Sequence, residues 1–216
     1  MENPFFDNAG VYDRFDRQRT SKSDGIFDVV LGIMLILFIA LLGVRIMYEP
    51  VIVDGHSMDP TLYDGEKVVL GRFDRNFRVG DIVVADVPDL VDGKSTLIIK
   101  RVVAVAGDKI AFRFNAEKGA IEFYRNDMTK PVEEDYIAEP MRDVGKFQKI
   151  GVVSSGEEIT EDKILTVGDG EVFIMGDNRN NSLDSRKRGA VKISSVKGKM
   201  KFGIGENVFY SILFGF

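Results

Sequence analysis

Three segments of the 216-residue sequence hold residue types capable of covalent chemistry. The first is Asp54-Gly55-His56-Ser57-Met58-Asp59-Pro60-Thr61-Leu62. A serine on a Gly and Pro turn exposes its hydroxyl and leaves nearby backbone N–H groups free to donate, as an acyl-transfer nucleophile and its oxyanion site require. An ordinary turn serine has the same appearance. The second is Thr96-Leu97-Ile98-Ile99-Lys100-Arg101-Val102-Val103-Ala104-Val105, an apolar run interrupted by a lysine. A buried ammonium is costly unless it is paired or gives up its proton. Desolvation lowers a lysine's pKa and makes its neutral amine a general base near neutral pH. Arg101 points to the opposite face and stays charged, so it cannot take that part. The competing account is an edge strand from which Lys100 snorkels to water. The third segment runs from Met175 to Arg186, eight polar residues and one apolar between its Gly176 and Arg186 ends. Its hydroxyls and carboxylates can orient a base and tie down a neighbouring arginine, or they form a solvated Asx-rich turn.

Other chemistries are poorly served. Cysteine is absent, which removes disulfides, thiol catalysis and thiolate metal sites. His56 is the single histidine, so a zinc site based on histidines or a triad using several of them is hard to build. The net charge is −5 and basic residues are scattered among acids, without the Lys/Arg stripe that grips phosphate, so no nucleic-acid partner is expected. Gly203-Ile204-Gly205 lacks the third glycine of a dinucleotide fingerprint, and the triplet Gly93-Lys94-Ser95 has Pro88 where a Walker motif needs its first glycine, so no Walker-type loop occurs. Ser194-Ser195-Val196-Lys197 fits S-x-x-K by spacing alone, without the companion SDN and KTG motifs.

The three segments need elements to hold them. Residues 1–24 form a polar tail with Arg14, Arg17, Arg19 and Lys22. Residues 25–48 read as a transmembrane anchor: from Val29 to Val44 every residue is apolar or Gly, and the flanks extend the stretch to roughly 20 residues. A helix apolar on every face would need a larger protein around it to be a core helix. A cleaved signal peptide fits less well, because the run is long and no small-x-small exit follows it. The positive charges before the run predict a cytoplasmic N-terminus in a single-pass protein of the cell membrane, with residues 49–216 on the extracytoplasmic side. There the pattern becomes short Val-, Ile- and Phe-rich runs: Val51–Val53, Lys67–Leu70, Asp81–Val87, Thr96–Ala106, Lys109–Phe114, Ile121–Tyr124, Glu171–Met175 and Lys197–Phe202. Gly turns separate them and no long helices alternate with them, which predicts a mainly β, antiparallel sandwich or barrel-like domain. Residues 126–163 look like a long surface excursion, and the apolar end Val208–Phe216 packs on the domain or dips into the membrane surface.

Taken in order, Ser57-Met58-x-Pro60-Thr61-Leu62, then Lys100-Arg101-Val102 with Gly107-Asp108, then Gly176-Asp177-Asn178-Arg179-x-x-Ser182-x-Asp184-Ser185-Arg186 behind an anchor resembles bacterial type I signal peptidase. The resemblance covers the anchor and nearly all of residues 50–205. It implies Ser57 as nucleophile, Lys100 as general base and Ser182 as the serine that hydrogen-bonds and orients that lysine. It also implies Arg101 with Asp177, and Asp184 with Arg186, as ion pairs bracing the site. Some members carry a serine two residues before the nucleophile; here that position is Gly55, which leaves the oxyanion mainly to the Ser57 backbone N–H. Histidine serves as base in archaeal and reticulum-type relatives, but His56 adjoins Ser57 in an extended chain and should face away from it. By resemblance and strand parity, Val53, Met58, Leu62, Ile98 and Ile99 would wall the pockets for small residues. The implied activity is membrane-anchored serine endopeptidase cleavage of secretory preproteins at small-x-small sites, through an acyl-enzyme and without metal or cofactor. The implied partners are signal peptides and the lipid bilayer, near the secretion translocon. A self-cleaving Ser/Lys repressor would carry a DNA-binding domain where this chain has its apolar run, and a non-enzymatic anchored β domain would be indifferent to Ser57 and Lys100.

Overall fold

The structure is a computed structural model and describes residues 22–89, 92–143, 147 and 150–204. Most of the polar tail and the apolar run Val208–Phe216 lie outside them. The chain divides into two compact units, Met1–Ile46 and Met47–Phe216. In the first, helix α1 spans Lys22–Met47. Leucine, methionine and alanine favour the helix, and no proline interrupts it. Its segment Gly25–Met47 has a mean hydropathy of 2.8, and none of the most apolar window is buried. At 1.5 Å per residue that segment is about 35 Å long, enough for a hydrocarbon layer of about 30 Å.

The second unit is built from strands β1 (Tyr48–Ile52), β2 (Lys67–Gly71), β3 (Ile82–Pro88), β4 (Ser95–Val105), β5 (Lys109–Asn115) and β6 (Ala120–Arg125). It continues through β7 (Val152–Val153), β8 (Leu165–Thr166), β9 (Glu171–Met175), β10 (Val191–Lys192) and β11 (Val196–Ile204), with one short helix, α2, over Ser185–Arg188. Seven strands form one sheet in the order β1-β2-β11-β3-β4-β9-β10, and a smaller sheet has the order β6-β5-β7 with β8 also on β5. The fold is mainly antiparallel β with one N-terminal apolar helix. Each expected run falls on a strand, and the one departure in direction is the parallel pairing of β5 with β7. The two-residue strands β7, β8 and β10 are too short to leave a periodic signal.

Phe112 and Phe123 of the smaller sheet pack with Val103, Phe173 and Met175 of the larger in one buried cluster. The Phe112 ring lies 5.2 Å from that of Phe123 and 4.8 Å from that of Phe147. Each such ring contributes about 1.5–3 kcal/mol by leaving water. The stretch 126–163 is not the surface excursion its composition suggests. Met141 and Ile150 are buried in this same cluster, and Val152–Val153 joins β5. The acidic and basic residues between these anchors mask the few apolar ones in any window average.

Strand β4 holds a special position. β3 runs along Ser95–Arg101, but β9 pairs only with Arg101–Val105, so among the described residues Ser95–Lys100 is laddered on one edge alone. Lys100 stands where two-sided pairing stops.

Candidate active site

Ser57 lies just beyond β1. The chain leaves that strand through a Val53 N–H donated to the Glu66 carbonyl (2.8 Å) and a Gly65 N–H donated to the Val53 carbonyl (2.9 Å). It turns at Gly55, whose φ of +84° suits a residue without Cβ and whose N–H donates to Asp64 Oδ1 at 2.8 Å. A helical turn follows, with Thr61 and Leu62 N–H groups donating to the Met58 carbonyl at 2.8 and 3.1 Å. Met58 and Leu62 are buried and pin this turn to Val53, Val68, Leu70, Val84 and Ile99. The Ser57 hydroxyl is thereby lifted toward β4, while the Ser57 amide has no acceptor among the described residues.

Lys100 is 4% exposed, and its Nζ lies 2.6 Å from Ser57 Oγ and 2.8 Å from the Ile99 carbonyl. Burial is the main cause that lowers its pKa to about 8, with the charges of Arg188 and Arg186 acting the same way and those of Asp184 and Asp177 opposing. At that value the neutral amine is accessible near neutral pH. The snorkelling alternative does not describe this lysine, which turns inward to the serine.

The polar loop after β9 closes around the pair. The Asn178 N–H donates to the Ser57 carbonyl at 3.1 Å, and its side-chain Nδ2 to the His56 carbonyl at 3.0 Å. Gly176 packs so tightly that a Cβ there would come within 2.3 Å of both the Ser57 carbonyl oxygen and Ser182 Oγ. Asp177, buried, accepts from Arg101 Nε at 2.9 Å and Nη2 at 2.6 Å. Arg101 also donates to the Gly80 carbonyl at 2.9 Å and reaches Thr61 Oγ1 at 3.3 Å. Asp184 and Arg186 are both buried and paired, with Arg186 Nε 2.9 Å from Oδ1 and Nη2 2.8 Å from Oδ2. Asp184 also caps α2 and accepts the Gly176 N–H at 3.0 Å. Burial pushes its carboxyl up, but Arg186, the Gly176 N–H and the nearby Ser182 hydroxyl reverse this and hold it below the usual carboxylate range.

Two expectations meet a different arrangement. Ser182 is buried in the loop, yet its hydroxyl makes no hydrogen bond of full geometry, and the Lys100 amine is taken up by Ser57 and Ile99 instead. Of the expected pocket walls, Val53, Met58, Leu62 and Ile99 share one cluster. Ile98 instead packs with Val83, Ala85 and Val102 in another, because successive strand residues face opposite ways. The His56 side chain is 62% exposed and its Nδ1 is 3.3 Å from Asp59 Oδ2. No cluster of metal-ligating side chains occurs among the described residues. Glu134, Tyr136 and Arg179 have no role in the sequence analysis, yet all three reach this site. Arg179 could have been found as a charged residue inside the polar motif; nothing distinguishes Glu134 from the acids around it.

A profile of the family described as signal peptidase, peptidase S26, matches residues 26–204. The chain belongs to that family. It is therefore a serine peptidase, a hydrolase of the bacterial type I signal peptidases, whose activity is the removal of signal peptides. This peptidase is 31% identical over 191 residues to signal peptidase I of Bacillus licheniformis, covering 87% of this chain and 92% of that one. It is 35% identical over 161 residues to signal peptidase I U of Bacillus subtilis (strain 168), covering 73% and 75% respectively. A crystal structure of a signal peptidase I from Enterococcus faecalis V583 is 29% identical, with a TM-score of 0.38, and covers 58% of this chain and 97% of that one.

Proposed function

We propose that the protein is a membrane-anchored endopeptidase in which Ser57 is the nucleophile and Lys100 the general base. The observation that carries this reading is a buried lysine amine 2.6 Å from a serine hydroxyl. Neutral Lys100 takes the Ser57 proton as Oγ attacks the scissile carbonyl carbon, and the resulting oxyanion faces the Ser57 N–H. Collapse breaks the C–N bond, and the departing amine takes the proton back from Lys100, leaving the acyl group on Ser57. Lys100 then accepts a proton from water as its oxygen attacks the ester carbonyl; the acyl C–Oγ bond breaks, Ser57 Oγ takes that proton from Lys100, and the signal peptide carboxylate leaves.

The Arg101–Asp177 and Asp184–Arg186 pairs brace the loop, and Ser182 on that loop orients Lys100 during the reaction. The substrate is the extended end of a secretory signal peptide. It adds as a strand to the one-sided edge of Ser95–Lys100, with small side chains entering pockets walled by Val53, Met58, Leu62 and Ile99. Helix α1 crosses the cell membrane once, the N-terminus in the cytoplasm, which holds Ser57 near the outer bilayer face and near the translocon that delivers preproteins.

The test is cleavage of a preprotein carrying an Ala-x-Ala site by the detergent-solubilised protein, beside Ser57→Ala and Lys100→Met. Both variants should fall by at least about 10³-fold, as removal of one member of such a pair does. Appreciable turnover in either would sink the dyad.

A further inference from the structure

Arg179 is a fully buried cation that the mechanism above does not use. Its Nη1 and Nη2 both donate to the Glu134 carboxylate, Nη2 at 2.6 Å from Oε1, and its Nε donates to the Gly176 carbonyl at 3.1 Å. The Gly176 N–H is held from its other side by Asp184. One glycine is thus gripped at its amide by one buried ion pair and at its carbonyl by another, and its α-carbon abuts the Ser57 carbonyl. The next residue, Asp177, is held by Arg101, whose guanidinium carbon lies 4.2 Å over the Tyr136 ring. The Tyr136 hydroxyl donates back to Glu134 Oε1 at 2.6 Å. Two residues of a segment whose composition suggests surface loop therefore engage both arginines that secure the peptide behind Ser57.

We propose that Glu134 and Tyr136 are positioning residues for the Ser57–Lys100 pair, acting through Arg179 and Arg101 on Gly176 and Asp177. The proposal rests on the Ser57–Lys100 reading above. Its physical basis is that arginine cannot shed its charge. Without Glu134, buried Arg179 must find other acceptors, and the carbonyl it already holds belongs to the peptide packed against the nucleophile. A displacement of about 1 Å at such a site costs on the order of 10²-fold in rate. Tyr136 separates two contributions: Tyr136→Phe keeps the ring under Arg101 and loses only the hydroxyl, whereas Tyr136→Leu loses both.

The experiment measures kcat and KM on the Ala-x-Ala preprotein, with Tm, for the full-length chain and for Glu134→Gln, Tyr136→Phe, Tyr136→Leu and Val153→Ala. Val153 is buried in the same segment but outside this network, and its variant reports what lost packing alone does. Glu134→Gln and Tyr136→Leu should lower kcat at least about tenfold with KM within about twofold, while Tyr136→Phe loses no more than about threefold. Val153→Ala should keep its kcat whatever it does to Tm. Parental kcat in Glu134→Gln and Tyr136→Leu overturns the proposal, and so does a loss no larger than in Val153→Ala, or a loss expressed in KM alone. Should Glu134→Gln fail to fold, the Tyr136 pair decides on the same criteria. Activity surviving Ser57→Ala or Lys100→Met overturns the dyad instead, a different failure read in different variants.

Discussion

With its pKa lowered to about 8, the Lys100 amine is neutral in only roughly a tenth of molecules at pH 7. The proposed base must be neutral to accept the Ser57 proton, so activity should belong to the deprotonated form and rise with pH. For a short peptide substrate, kcat/KM should climb about tenfold per pH unit below about pH 8 and level off above it. A rate profile flat from pH 6 to 9 would contradict a lysine base at this site. The same shift has a cost in stability, since the unfolded chain holds that proton more tightly than the folded one does. The penalty is full below about pH 8 and fades as pH approaches the ordinary lysine value. As the proposed base, the amine is kept here against the preference of the fold, inside an apolar strand that a core-building sequence would have filled with valine. That mismatch made Lys100 legible from its neighbours alone. Glu134 was not legible, because its partner Arg179 lies 45 positions away and only the folded chain brings them together.

At the scale of elements, the strands were legible wherever runs of β-branched residues met Gly turns, and the two-residue strands were not. The segment 126–163 misled because its apolar anchors, Met141 and Ile150, are single residues among charges, and burial of one side chain leaves no periodicity. The open edge of β4 also escapes sequence reading, since which strand stops where depends on β9 ending its pairing at Arg101. As the proposed docking edge, it would make a specific demand on substrate. A docked strand directs alternate N–H groups at the enzyme, so methylating one backbone nitrogen of a peptide before its cleavage site should raise KM roughly tenfold at one position and little at the next. Equal effects at neighbouring positions would show that the peptide is held by its side chains alone.

For the whole molecule, the proposed topology is directly measurable because the chain has no native cysteine. Single cysteines introduced at Ser21 and at Thr129 should react with a membrane-impermeant maleimide from opposite faces of sealed cells or inverted vesicles. Thr129 should be reached from outside and Ser21 only from the cytoplasmic side. Labelling of both from one face would reject a single crossing by α1. The edge that ends at Lys100 carries one more consequence. A chain laid along Ser95–Lys100 meets a fixed stop, and its side chains alternate between faces. Sliding it by one residue exchanges every inward group for an outward one, whereas sliding it by two restores the original set. Fidelity of the cut is then a matter of parity: errors of this peptidase should fall two residues from the proper bond rather than one.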